Sequence, residues 1–93
     1  MFYESLGNRA RGEIVSKLSA TGSMSTIELE RHLSINRSSL IKHLDKLESL
    51  GLVVADTPRE RRHGRAVQWS VDADRLNELL AEFADYVRGN AKS

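Results

Sequence analysis

The sequence contains no cysteine. That excludes a disulfide framework and any thiolate metal site. Long apolar stretches are also missing. The longest uninterrupted run is the four residues Leu52 to Ala55, far short of the roughly 20 that a membrane span needs. The first five residues, Met-Phe-Tyr-Glu-Ser, have neither a basic region nor an apolar core, so they do not read as a signal peptide. No repeat, low-complexity tract or glycine-rich phosphate loop occurs. No serine–histidine pair has a nucleophile context, and no carboxylate pair lies in an apolar setting that would raise a pKa. These absences argue against an enzyme. They leave a soluble cytoplasmic protein of 93 residues, read as a single domain over 1–93.

Charge of one sign is scarce overall, with a net of +1. Its distribution says more. Residues 1–71 hold 11 Lys/Arg against 8 Asp/Glu, whereas residues 72–93 hold 3 against 5. Within the first part, Pro58 to Arg65 has four arginines and one glutamate. One face of such a molecule can meet phosphates while the acidic end points away.

The stretch Ile35–Gly51 organises the rest. Asn36 is a good helix cap. Leu40, Leu44 and Leu47 recur at i, i+4, i+7 and form one apolar stripe. Gly51 suits the left-handed position just past a helix end. Ser38, Ile41, Lys42, Asp45 and Ser49 therefore face outward. The helix start offers Arg37, Ser38, Ser39 and Lys42, donors and cations at a helix end whose dipole favours anions. His43 lies at the margin of the stripe, and packing and phosphate contact are equally open to it.

Before this helix, Ala10, Ile14, Val15 and Leu18 predict an amphipathic helix over 8–19. Ser25 and Glu28 form a capping box that opens a short helix over 26–33, with Leu29 and Leu33 inward. Only 34–36 separate it from the central helix, the arrangement of a helix-turn-helix. After Gly51 the pattern turns β-branched over Leu52–Thr57 and alternates over Ala66–Val71, with Val67, Trp69 and Val71 on one side. These two strands frame a loop and make a hairpin, a wing, with Arg59, Arg61, Arg62, His63 and Arg65 at its tip. Trp69 reads as core rather than as a stacking platform. Asp72 caps a last helix to about Arg88, with Leu76, Leu79, Leu80, Phe83 and Val87 as its stripe. That stripe both closes the core and offers a seam to a second copy. Residues 1–71 thus form a DNA-binding core, 72–88 a dimerisation helix, and 89–93 a frayed tail.

In this order and spacing, several segments resemble the ArsR-type winged-helix transcriptional regulators. They are Leu6-Gly7-Asn8 with Arg11 and Ile14; Glu28-Leu29, Leu33, Ile35, Arg37 to Leu40 and His43-Leu44; Leu47-Glu48 and Gly51-Leu52-Val53; and Arg62 to Val67 with Trp69-Ser70. The resemblance implies a mainly α fold with a small β-hairpin, helices followed by a two-stranded wing and a C-terminal helix. It also implies a homodimer through Phe2, Tyr3, Leu6, Leu76, Leu80, Phe83 and Val87, bound to operator DNA. The chain departs from the family pattern at Glu30 (usually small), Ser34 (often glycine) and Ile41 (usually small and polar), and Ile41 implies contact with thymine methyls. Many members sense metals. Here no cysteine is present, the last helix has carboxylates but no histidine, and His32, His43 and His63 lack ligand spacing, so no metal and no cofactor are expected.

The reading is a sequence-specific regulator of transcription, a homodimeric repressor of an inverted-repeat operator. Its partners are duplex DNA and itself. Asn36, Arg37, Ser38, Ser39, Ile41, Lys42, His43 and Lys46 contact DNA from the recognition helix, joined by the basic residues of the wing. The rivals are a winged-helix module that docks on protein, and a DNA-binding part of a plasmid or phage replication or recombination assembly.

Overall fold

A computed structural model of the chain describes residues 6–89. Phe2 and Tyr3 lie outside the described residues, as do 90–93 of the expected tail. Helix α1 spans Arg9–Thr21, and the Asn8 side chain accepts from the Arg11 amide at 3.1 Å. Strand β1, Met24–Ser25, leads directly into α2, Thr26–Leu33. The capping box is complete: the Glu28 amide donates to Ser25 Oγ at 3.1 Å and the Ser25 amide donates to Glu28 Oε1 at 2.9 Å. Two orphan amides are thereby satisfied within one turn.

Helix α3 spans Arg37–Ser49 and is capped by Asn36, whose Oδ1 accepts from the Ser39 amide at 2.9 Å. Gly51 follows at φ 77°, the conformation its position requires. Strand β2 covers Val53–Ala55, a 3₁₀ turn Arg59–Arg61, and β3 Gln68–Val71. Helix α4, Ala73–Val87, starts at Asp72, which accepts from the Arg75 amide at 3.1 Å.

The core is a single apolar cluster to which every helix and strand contributes. Ile14 and Leu18 come from α1, Leu29 from α2, Leu40, Leu44 and Leu47 from α3, and Leu79 from α4. The α3 leucines are 0–1% exposed. Each such side chain contributes about 1.5–3 kcal/mol by leaving water, so the face of α3 that turns inward is fixed and the opposite face must turn out.

The sheet holds one strand more than the expected two-stranded hairpin. Its order is β1-β3-β2, all antiparallel. Trp69 is the middle residue, opposite Ala55 on one side and Met24 on the other. The indole is buried, and its Nε1 donates to Thr26 Oγ1 at 3.0 Å. The wing base is thereby tied to the start of α2.

Candidate nucleic-acid interface

The outer face of α3 carries Ser38, Ile41, Lys42, Asp45 and Ser49, all exposed. Its amino-terminal half and the wing border one groove of about 510 Å³. Ile27, Ile41, Ala66 and Val67 line it together with the charged Arg37, Asp45, Arg62 and Arg65. Ile27 and Ile41 are 49% and 45% exposed, large aliphatics on an otherwise polar face. Ile27 was not a sequence candidate. It belongs to a helix whose period marks Leu29 and Leu33 as core, and only the approach of the wing gives its outward side a role.

The basic residues divide into two groups. Arg61, Arg65, Lys42 and Lys46 are exposed, and among the described residues their side chains have no ion-pair partner. Arg37 is half exposed and donates to both oxygens of Glu30 at 3.3 and 3.4 Å. Glu30 thus takes up the first cation of α3 across the turn. A solvent-exposed pair of this kind contributes little, ~0–1 kcal/mol, and a phosphate can compete for the guanidinium.

Arg62 and Arg59 differ. The Arg62 side chain is only 18% exposed. It donates from Nη1 and Nη2 to the two oxygens of Glu48 at 3.0 and 2.5 Å and from Nε to the Thr57 carbonyl at 2.9 Å. The guanidinium carbon also lies over the Trp69 ring, 5.1 Å from its centroid. Three of its five N–H donors are thus engaged within the protein, so Arg62 is held at the wing base and is not free at the tip as Arg61 and Arg65 are. Arg59 bridges Glu48 and Asp45 at 3.1 and 3.5 Å while remaining largely exposed. The Arg62 guanidinium holds the Glu48 carboxyl below the usual range for a glutamate, and Glu48 in turn raises Arg62.

His43 is partly buried, and burial pushes its imidazole below the ordinary value, assisted by the nearby Arg11 charge. Its surroundings thus favour the neutral imidazole, which can pack against the helix edge or donate an N–H to a phosphate. His63 is exposed in the wing loop. Among the described residues, no group of three or more His, Asp or Glu side chains is placed to hold a metal ion, and no helix is long and apolar enough to cross a membrane.

A helix-turn-helix whose second helix lies beside a β-wing, with unpaired cations on both, defines a winged-helix protein. A sequence profile described as bacterial regulatory protein, arsR family, matches residues 8–54. The chain belongs to that family: it is a DNA-binding regulator of transcription and not an enzyme. Among solved structures, it is 30% identical to Rv0081 of M. tuberculosis, with a TM-score of 0.67 over 94% of this chain and 82% of that one. A possible transcriptional regulator for arsenical resistance shares 24% identity and a TM-score of 0.71, covering 95% and 93% of the two chains. NolR from Sinorhizobium fredii shares 21% identity and a TM-score of 0.68, covering 98% and 83%. No curated protein matches the chain.

Proposed function

We propose that the chain is a homodimeric repressor that reads an inverted-repeat operator with α3 in the major groove and the wing on the flanking backbone. The observation that carries this reading is the shared groove, which Arg37 and Ile41 of α3 line together with Arg65 of the wing. Asn36, Arg37, Ser38, Ser39, Ile41 and Lys42 supply base and phosphate contacts at the start of α3, with Lys46 further along. Arg61 and Arg65 supply wing phosphate contacts, with Arg59 and His63 at the margin. Most of the affinity comes from phosphates, so it falls steeply with salt.

The dimer half of the proposal rests on α4. Leu80, Tyr86 and Val87 are 45%, 62% and 64% exposed, an apolar stripe that a soluble chain covers with a like surface. Leu6 and Leu76 pack against the chain's own core from the same side. In this reading residues 1–71 bind DNA, 72–88 dimerise, the protein works in the cytoplasm, and it needs no metal or cofactor.

Selection of bound duplexes from a random pool tests the reading, followed by titration at several salt concentrations and sedimentation of the free protein. The expected outcome is an inverted repeat with half-sites one or two helical turns apart, bound by a dimer. The expected salt slope is about −0.9 per neutralised phosphate. A monomer, or recovered sequences without two-fold symmetry, would overturn it.

A further inference from the structure

We propose that Glu48 and Arg62 form a latch that sets the wing against the recognition helix, making Arg62 a positioning residue for DNA binding and not a phosphate contact. The inference rests on the DNA-binding reading and adds a division of labour among the wing arginines.

Four observations converge on it. The Arg62 fork meets the Glu48 carboxylate in a two-pronged pair, the geometry in which arginine pairs are strongest and most directional. Its Nε holds the Thr57 carbonyl where the chain leaves β2. The guanidinium carbon lies over the ring of Trp69, the middle residue of the sheet, 5.1 Å from its centroid. One side chain therefore joins the last turn of α3, the base of the wing and the centre of the sheet. The fourth observation is charge. The cluster Asp45, Glu48, Arg59 and Arg62 holds two carboxylates and two guanidiniums, so it offers a polyanion no net attraction. Two acids on a helix that approaches phosphates would be unfavourable alone. Their place is explained if the cluster fixes geometry while Arg61, Arg65 and Lys42 supply the charge.

The latch makes a prediction opposite in sign to simple electrostatics. Removing a carboxylate near DNA should tighten binding; removing half of a latch should weaken it. The experiment uses the full chain and the labelled duplex recovered by selection, at one salt concentration, with circular dichroism verifying the fold of each variant. Glu48→Gln is expected to lose about tenfold in affinity. Arg62→Lys keeps the charge but not the fork or the flat face, and it is expected to lose as much as Arg62→Gln. The double variant Glu48→Gln, Arg62→Lys should lose no more than either alone. Arg65→Ala should cost less in the Glu48→Gln background than in the native chain, because the wing it sits on is no longer held in reach. If Glu48→Gln does not fold, Glu48→Asp and Arg62→Lys carry the same discrimination.

Tighter binding by Glu48→Gln, native affinity in Arg62→Lys, or full additivity of the pair would each overturn the latch while leaving the DNA reading intact. Failure of the native chain to bind any duplex at low salt would overturn both.

Discussion

Ser34 occupies the left-handed region at φ 53°, the only non-glycine residue with positive φ among those described. An L side chain there costs about 1–2 kcal/mol, and glycine avoids that cost while losing more chain entropy on folding. Ser34→Gly is therefore expected to be neutral or to stabilise by up to about 1 kcal/mol in urea unfolding, and a clear loss of stability would show that the serine has a partner role. Leu44→Ala should cost about 2–5 kcal/mol in the same assay, since the side chain is 1% exposed. Residue-scale features were legible wherever the signal is local. The caps Asn36, Ser25 with Glu28, and Asp72 follow from side chains acting on amides two or three positions away, and each is found as read. Arg62 was not legible. Its role depends on a carboxylate 14 residues earlier on another element, and no spacing rule connects a loop arginine to the last turn of a helix. The only hint was complementarity: two acids at the end of α3 and four arginines in the loop that follows.

At the scale of elements, α2 and α3 match their expected spans because a 3.6-residue period over a helix leaves little freedom. The strands are shorter than read, Val53–Ala55 and Gln68–Val71: Leu52 N–H still bonds back to the Leu47 carbonyl at the end of α3, and the Val67 carbonyl accepts from the Thr26 amide at the start of α2. Strand β1 escaped notice altogether: two residues carry no periodicity, and its existence is decided by the edge that β3 offers. The groove between α2, α3 and the wing leads to a specific expectation. If Ile41 reads a thymine methyl, replacing the relevant thymine by deoxyuridine in the selected duplex should weaken binding several-fold, and Ile41→Ala should abolish that difference in a paired titration. The wing base also carries an acid-sensitive element. Glu48 and Asp56 lie below their ordinary values of 4.5 and 3.8, Glu48 first through Arg62 and Asp56 first through the Gln68 amide. The folded state therefore holds fewer protons than the unfolded chain in this range. The stabilisation is complete above the unfolded values and is lost as pH falls through the folded ones. Thermal unfolding followed from pH 7 to pH 3 should show this fall, and Glu48→Gln should make it shallower.

The described residues measure 46 × 25 × 21 Å. In α4 only Leu79 is buried and Leu76 packs partly against the core, held where the Arg75 Nε donates to the Leu50 carbonyl at 3.1 Å. Farther along the helix, Leu80, Tyr86 and Val87 are exposed while Phe83 is half-buried. The sequence marked five apolar positions on this helix, but a period alone does not say which neighbour covers them. Leu80→Glu is expected to leave the helix-turn-helix folded while shifting the protein to monomer in sedimentation, and to weaken binding to a two-site operator much more than to a half-site. Unchanged dimerisation would place the seam elsewhere.

The central place of β3 has a consequence for dissecting the chain. The profile shared with other regulators ends at residue 54, yet Trp69 lies between the strands before and after the helix pair and closes the floor beneath it. A fragment stopping at Ala55 would retain every letter of the reading helix and lose the plug its leucines rest on. Such a peptide should be loosely ordered and bind duplexes without preference, and supplying residues 56–93 as a separate piece should restore selectivity only insofar as the two halves reassemble.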